Sequence, residues 1–148
     1  MSEYIIRIIP EQEKVYFHKA LSQDMINCIS REIKADSISC EEYDEISFID
    51  CGGNLEEISC PYCHEIIPFD IWGDAMEKAA QSGFTDLTFR TLCCGNECSL
   101  NELEYNFPCG FARCMIEIVN PDRELSEPLI QQLEELSENK LRIIQAHY

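Results

Sequence analysis

An α+β fold is predicted for this chain, a ferredoxin-like or related α/β sandwich interrupted in its middle by a small cysteine-bearing element. Three observations predict it. Strand-like runs rich in β-branched residues stand at both ends, "YIIRII" from Tyr4 to Ile9 and "KLRIIQAHY" at the close. Stripes of helical period follow the first run and precede the last. Between them the cysteines bunch at Cys60, Cys63, Cys93, Cys94 and Cys98. With 148 residues, one domain over 1–148 with a real core is expected, and no second large unit.

The first strand is stopped by Pro10. Phe17, Leu21, Met25, Ile29 and Ile33 then recur every fourth residue, which places them on one helical face and predicts one long or two short helices from Gln12 to Ala35, jointed at Ser22-Gln23-Asp24. From Ile46 to Cys60, two short β-prone runs flank Asp50-Cys51-Gly52-Gly53-Asn54, which predicts a hairpin delivering Cys60 and Cys63 to its end. Next comes a short helix with Asp70 as N-cap, an apolar stripe through Ile71, Trp72, Ala75, Met76, Ala79 and Ala80, and Gly83 as terminator. Asp86 to Leu92 alternates like a strand and runs into Cys93. Phe111 to Val119 reads as a buried strand ended by Asn120-Pro121. Ser126 caps a helix with Pro128 in its first turn and Leu129, Ile130, Leu133 and Leu136 on one face, and Leu125 is placed to staple against Ile130. The last three elements suggest a β-α-β unit with Phe111 to Val119 parallel to Leu141 to Ala146, and the first strand beside them. No internal repeat is visible.

Composition narrows the function classes. The opening "MSEYIIRIIPEQEK" has neither a basic leader nor a cleavage site of small residues, and no apolar run reaches the roughly 20 residues that span a bilayer, so a cytoplasmic, soluble protein without membrane contact is expected. The formal net charge of −17 repels phosphate backbones and argues against a nucleic-acid partner. Between Glu41 and Glu57 lie seven acidic residues and no basic one, a solvated face or a docking surface for a basic protein. In a reducing compartment, ten cysteines point to metal ligands, catalysis or buried thiols rather than disulfides.

Cys60-Pro61-Tyr62-Cys63 matches the active-site tetrapeptide of glutaredoxins, and it also has the spacing of half a metal site. A redox C-x-x-C needs a helix directly after it, whose N-terminus stabilises the attacking thiolate. Pro68 would fall inside that helix and cost roughly 3 kcal/mol or more. A thiolate knuckle needs only a tight turn, since C-x-x-C lets two sulfurs reach one tetrahedral ion. The second half is offered by "TLCCGNECS", where three thiols compete for two places: Cys94 is expected, with either Cys93 or Cys98 as the fourth ligand. One structural Zn²⁺ is therefore expected on a zinc-ribbon element inserted over 46–100. A zinc deaminase reading, built on Cys63-His64-Glu65 with Pro108-Cys109 and Cys114, has its parts at the wrong separation. Cys28, Cys40, Cys51, Cys109 and Cys114 read as small buried hydrophobes. His18 and His147 read as packing residues, and His64 could donate to a knuckle thiolate.

The run from "FIDCGGNLEEISCPYC" through "CCG", "SLNELEY", "GFARC" and "NP" resembles a group of small bacterial zinc-ribbon-type proteins of uncharacterised function, over roughly residues 46 to 121. The resemblance implies a shared structural site using Cys60, Cys63 and the Cys93-Cys94 pair, and gives Asn101, Tyr105, Phe111 and Arg113 the look of positions with a purpose. It implies no activity. The function expected is a non-enzymatic zinc-binding interaction module presenting an acidic surface to a basic protein. The competing expectation is a thiol-disulfide oxidoreductase in which Cys60 attacks and Cys63 resolves.

Overall fold

The computed structural model describes residues 3 to 148. Isoleucine-rich β1 (Tyr4–Pro10) runs through the inside of a four-stranded sheet, because its side chains are apolar toward both faces: Ile6 and Ile8 are fully buried on one side, Ile9 on the other. It pairs antiparallel with β7 (Gly110–Val119) and with β8 (Leu141–His147), while β2 (Ser37–Ile49) pairs antiparallel with the far side of β7. The strand order is β2-β7-β1-β8. Helices α1 (Lys19–Glu32) and α3 (Glu127–Ser137) cover one face, where Met25, Ile29, Leu129 and Leu133 close over Ile6, Ile8, Ile116 and Ile118. Each such side chain contributes about 1.5 to 3 kcal/mol by leaving water. No helix among the described residues is long and apolar enough to cross a membrane.

Several elements differ from the sequence-based expectation, each for a local reason. The stripe from Phe17 to Ile33 does face the core, yet the helix starts only at Lys19: His18 is the N-cap, its Nδ1 accepting the Leu21 N–H at 3.2 Å. Ser22, Gln23 and Asp24 lie within that one helix without a joint. The N-terminal strand is not beside a β-α-β pair but between its two strands, which run parallel to one another and antiparallel to β1. The most apolar strand takes the place with the least water. Strand β2 extends far N-terminal of Ile46, where its acidic residues hid it, because an edge strand can keep such side chains in solvent. In α2 (Phe69–Ala80), Pro68 holds the N-cap position and Asp70 sits in the first turn, where its charge meets the helix dipole. In α3, Ser126 caps as expected, its Oγ accepting the Leu129 N–H, but Leu136 turns outward.

The expected hairpin around Gly52 does not form. Instead of folding back on β2, the loop docks on the end of β8: the Gly53 N–H donates to the His147 carbonyl at 2.9 Å, and Asn54 Nδ2 donates to the Gln145 carbonyl at 3.0 Å. Gly52 has φ +64, and a Cβ there would run into the His147 carbonyl oxygen. Gly52→Ala is therefore expected to lose at least about 1 to 3 kcal/mol, read as a lower urea midpoint with an unchanged slope. An unchanged midpoint would show that this clasp does not matter to stability.

From this loop the chain leaves the sheet and builds a second lobe before returning at β7. Strands β3 (Ile58–Ser59) and β6 (Glu104–Tyr105) pair, as do β4 (Thr88–Arg90) and β5 (Glu97–Ser99), with α2 between β3 and β4 in sequence. Its core is made by Ile58, Ile67, Leu87, Phe89 and Leu100, and Phe111 from β7 enters the same cluster. Buried Asn101 joins the lobe to the sheet. Its Nδ2 donates to the Glu11 carbonyl, and its Oδ1 accepts from the Phe111 N–H and from Arg142.

Candidate metal centre

Two tight turns carry the cysteines, and their backbones follow the same hydrogen-bond scheme. In the first, the Cys60 N–H donates to the Glu65 carbonyl and the His64 N–H to the Cys60 carbonyl. In the second, the Thr91 N–H donates to the Asn96 carbonyl and the Gly95 N–H to the Thr91 carbonyl. The residues that turn each knuckle, His64 and Gly95, sit at φ 66 and 67 in the left-handed region. Cys60 thus corresponds to Thr91, Cys63 to Cys94, and the core residue Ile67 to Cys98. The flanking pairs agree, since the Ile67 N–H donates to the Ile58 carbonyl and Cys98 lies opposite Phe89. This is an internal repeat of geometry that residue identity conceals.

The correspondence explains which thiols meet. The Sγ atoms of Cys60, Cys63, Cys93 and Cys94 all lie within 4.8 Å of one another. Cys98 is elsewhere, buried with Phe89, Leu100 and Ile67 in the lobe's apolar core, where it takes the part of an aliphatic side chain. The place that a regular second knuckle would give to its first ligand belongs to Thr91, which is buried, with its Oγ1 accepting from the Asn96 N–H at 3.3 Å. Cys93, at the third position of the turn, supplies the sulfur that Thr91 lacks. Its Sγ stands 3.3 Å from that of Cys63.

Four sulfurs at these separations fit one metal ion. Tetrahedral coordination with bonds of about 2.3 Å puts sulfurs about 3.8 Å apart, so a group contained within 4.8 Å needs only small side-chain adjustment. The electrostatics point the same way. Burial pushes the Cys60 thiol up, but the backbone N–H groups of Cys63 and Tyr62 and the neighbouring Cys93 and Cys63 thiols more than offset it, holding Cys60 at about 6. The Tyr62 N–H lies 3.4 Å from its sulfur. Hydrogen bonding to Cys63, then burial, pushes Cys94 up to about 12, and Cys63 likewise raises Cys93. A divalent cation at this place would stabilise thiolates directly and favour release of their protons.

The requirements of the other two readings are not assembled here. No helix follows the C-P-Y-C turn directly, since the next one starts at Phe69 beyond Pro68. Cys60, which a redox centre would present as attacking thiol, is fully buried, whereas Cys63 is exposed. Of the deaminase residues, Cys109 packs with Cys51 and Ile144, and Cys114 lies under α1 on the opposite face of the sheet, so neither approaches Cys63. His64 turns to Glu104, with Nδ1 2.9 Å from Oε2, rather than to a thiolate. Tyr105 ties the lobe together by donating to the Leu100 carbonyl and accepting from Trp72 Nε1. Arg113 lies over the Tyr16 ring, 5.4 Å from its centroid, and donates to the Asp44 carbonyl.

In comparison with known proteins, no family model, no curated protein and no solved structure matches the chain.

Proposed function

We propose that the chain is a zinc-binding, non-enzymatic interaction module, in which a structural four-thiolate site holds the second lobe in shape and an acidic surface takes a basic protein. The convergence of Cys60, Cys63, Cys93 and Cys94 from two backbone-equivalent knuckles carries this reading. Zinc is favoured among metals by an all-sulfur donor set of tetrahedral dimensions. Four protein ligands leave no open position for water, so the metal fixes loops and activates no nucleophile. The ribbon-like pairing of β3 with β6 and β4 with β5 supports the resemblance to small zinc-ribbon-type proteins. The order β2-β7-β1-β8, with α1 and α3 packed in one cluster, supports a ferredoxin-like sandwich around it.

Charge supports the choice of partner. Four thiolates and one Zn²⁺ leave the protein two units more negative than its formal −17. Exposed Glu41, Glu42, Asp44 and Glu45 line the edge strand β2, and Glu42 accepts from the Tyr16 hydroxyl. Such a field speeds encounter with a basic protein and repels nucleic acid.

Elemental analysis of freshly purified, fully reduced protein tests the metal, with one equivalent of zinc expected; metal-free folded protein would overturn the reading. Alkylation near pH 6 separates it from the oxidoreductase alternative. Protection of four cysteines until a chelator is added is expected, whereas fast single modification at Cys60 would favour thiol-disulfide chemistry. The role of Thr91 gives a finer prediction. Cys93→Ser alone should weaken metal binding by more than the roughly 10- to 100-fold that loss of an outer-shell partner costs. Adding Thr91→Cys should restore it, as measured by competition with a chromophoric chelator. If Cys98→Ser weakens binding as much as Cys93→Ser, the assignment of ligands is wrong.

A further inference from the structure

Four of the large apolar side chains left in solvent gather at the knuckle end of the second lobe: Leu92 is 77% exposed, Ile66 64%, Tyr62 49% and Phe69 47%. Ile66 and Leu92 both line a groove of about 320 Å³, together with Ile67, Pro68, Ile71 and Phe89, and with Glu65 and Cys93 beside them. The two walls belong to different knuckles. Ile66 follows the turn that carries Cys60 and Cys63, and Leu92 precedes Cys93 in the turn that carries Cys94. The groove therefore has a fixed width only when the four sulfurs are clasped together. Solvated apolar side chains of this size in one place are costly unless something covers them.

Charge says what covers them. From Asn54 to Tyr105 the lobe carries ten acidic side chains against two basic ones, Lys78 and Arg90, and exposed Glu65, Asp70 and Glu97 lie close to the groove in sequence. Arg90 is already drawn to Glu97, at 3.8 Å. A second copy of this chain would bring an equally acidic rim against the first, which repels. A segment with an apolar side chain between lysines or arginines would satisfy both the groove and its rim.

We propose that the groove between Ile66 and Leu92 is a docking site for a basic polypeptide segment, which inserts one aliphatic or aromatic side chain between the two knuckles. This rests on the zinc reading, because the metal sets the distance between the walls. It gives the basic partner a definite anchoring place on the acidic lobe and makes recognition conditional on metal occupancy.

Selection of a random peptide library on zinc-loaded protein tests it. The enriched peptides are expected to share an aliphatic or aromatic residue flanked by Lys or Arg. Their binding should fall roughly tenfold or more in Ile66→Ser and in Leu92→Ser, the scale of an interface anchor, and remain unchanged in Leu136→Ser, an exposed leucine on α3. It should weaken as salt rises from about 0.1 to about 1 M, which shortens the screening length from about 10 to about 3 Å. Zinc content measured in each variant separates the failures. One equivalent of zinc with no enriched peptide, or with peptides indifferent to Ile66 and Leu92, overturns the docking site and leaves the metal site standing. Absence of zinc overturns both. Self-association abolished by Leu92→Ser would also overturn it, by assigning the groove to a second copy.

Discussion

Chelation of the zinc-loaded protein is expected to unfold the second lobe and leave the four-stranded sheet largely in place. Structural zinc contributes on the order of 10 kcal/mol to the folding of small modules, comparable to the whole stability of an ordinary domain. The lobe has little to set against that loss. Its strands β3, β4, β5 and β6 have two or three residues each, and Ala79 is the one buried residue of α2. The sheet and its two helices have a separate core around Ile6, Ile116, Met25 and Leu133. The single tryptophan reports the difference, since Trp72 is in the lobe, edge-on to Tyr105 at 6.3 Å and to Phe48 at 5.7 Å. Its emission should shift red and lose anisotropy on chelation, while far-ultraviolet dichroism keeps most of its strand signal. Unchanged Trp72 emission after proven zinc removal would mean that the lobe stands without its metal.

Phe111→Ala is the second large effect, with an expected loss of about 3 to 5 kcal/mol from removed apolar contact and the cavity left behind. Phe111 is fully buried although it belongs to the sheet, and its ring meets Phe48 at 5.2 Å and Phe84 at 5.4 Å. Those partners come from β2 and from the turn after α2, so one ring closes the seam between sheet and lobe. The urea midpoint of the zinc-loaded protein should fall accordingly, with Trp72 emission reporting loss earlier than strand dichroism. Phe111→Leu, which keeps most of the volume, should cost much less. A loss under about 1 kcal/mol for Phe111→Ala would show that the seam carries little of the stability.

These expectations draw on features of unequal legibility in the sequence. The stripe from Phe17 to Ile33 was readable because core burial imposes a period, but its start was not, because the choice of His18 as N-cap depends on Phe17 being drawn under the sheet against Cys114. Strand β2 was obscured by Glu41, Glu42, Asp44 and Glu45, since polarity alone does not distinguish an edge strand from a loop. The loop at Gly52 looked like a hairpin turn. Glycine there serves a close approach to His147 instead, a contact about two-thirds of the chain away in sequence. At the candidate metal centre the first knuckle is plain and Cys94 is expected in the second, but cysteine spacing alone does not choose between Cys93 and Cys98. The signal that resolves it is the residue of positive φ. Aligning His64 with Gly95 sets Thr91 on Cys60 and Cys98 on Ile67, so that one cysteine becomes core and another joins the four-sulfur cluster from an irregular position.

The central place of β1 bears on the order in which the molecule can assemble. Ile8 pairs with Ile116 on one side and Ile143 on the other, so the sheet cannot close until the two ends of the chain have met, and loop closure over such a span slows folding. The knuckles demand far less of the chain, because Cys60 and Cys94 are separated by only one helix and one short strand. Zinc capture, on the proposed reading, would therefore run ahead of the sheet, shortening by a preformed lobe the loop that β2 and β7 must close. Refolding should be faster when zinc is present from the start than when it is added after the sheet has formed, with the gain appearing in the folding limb of the chevron.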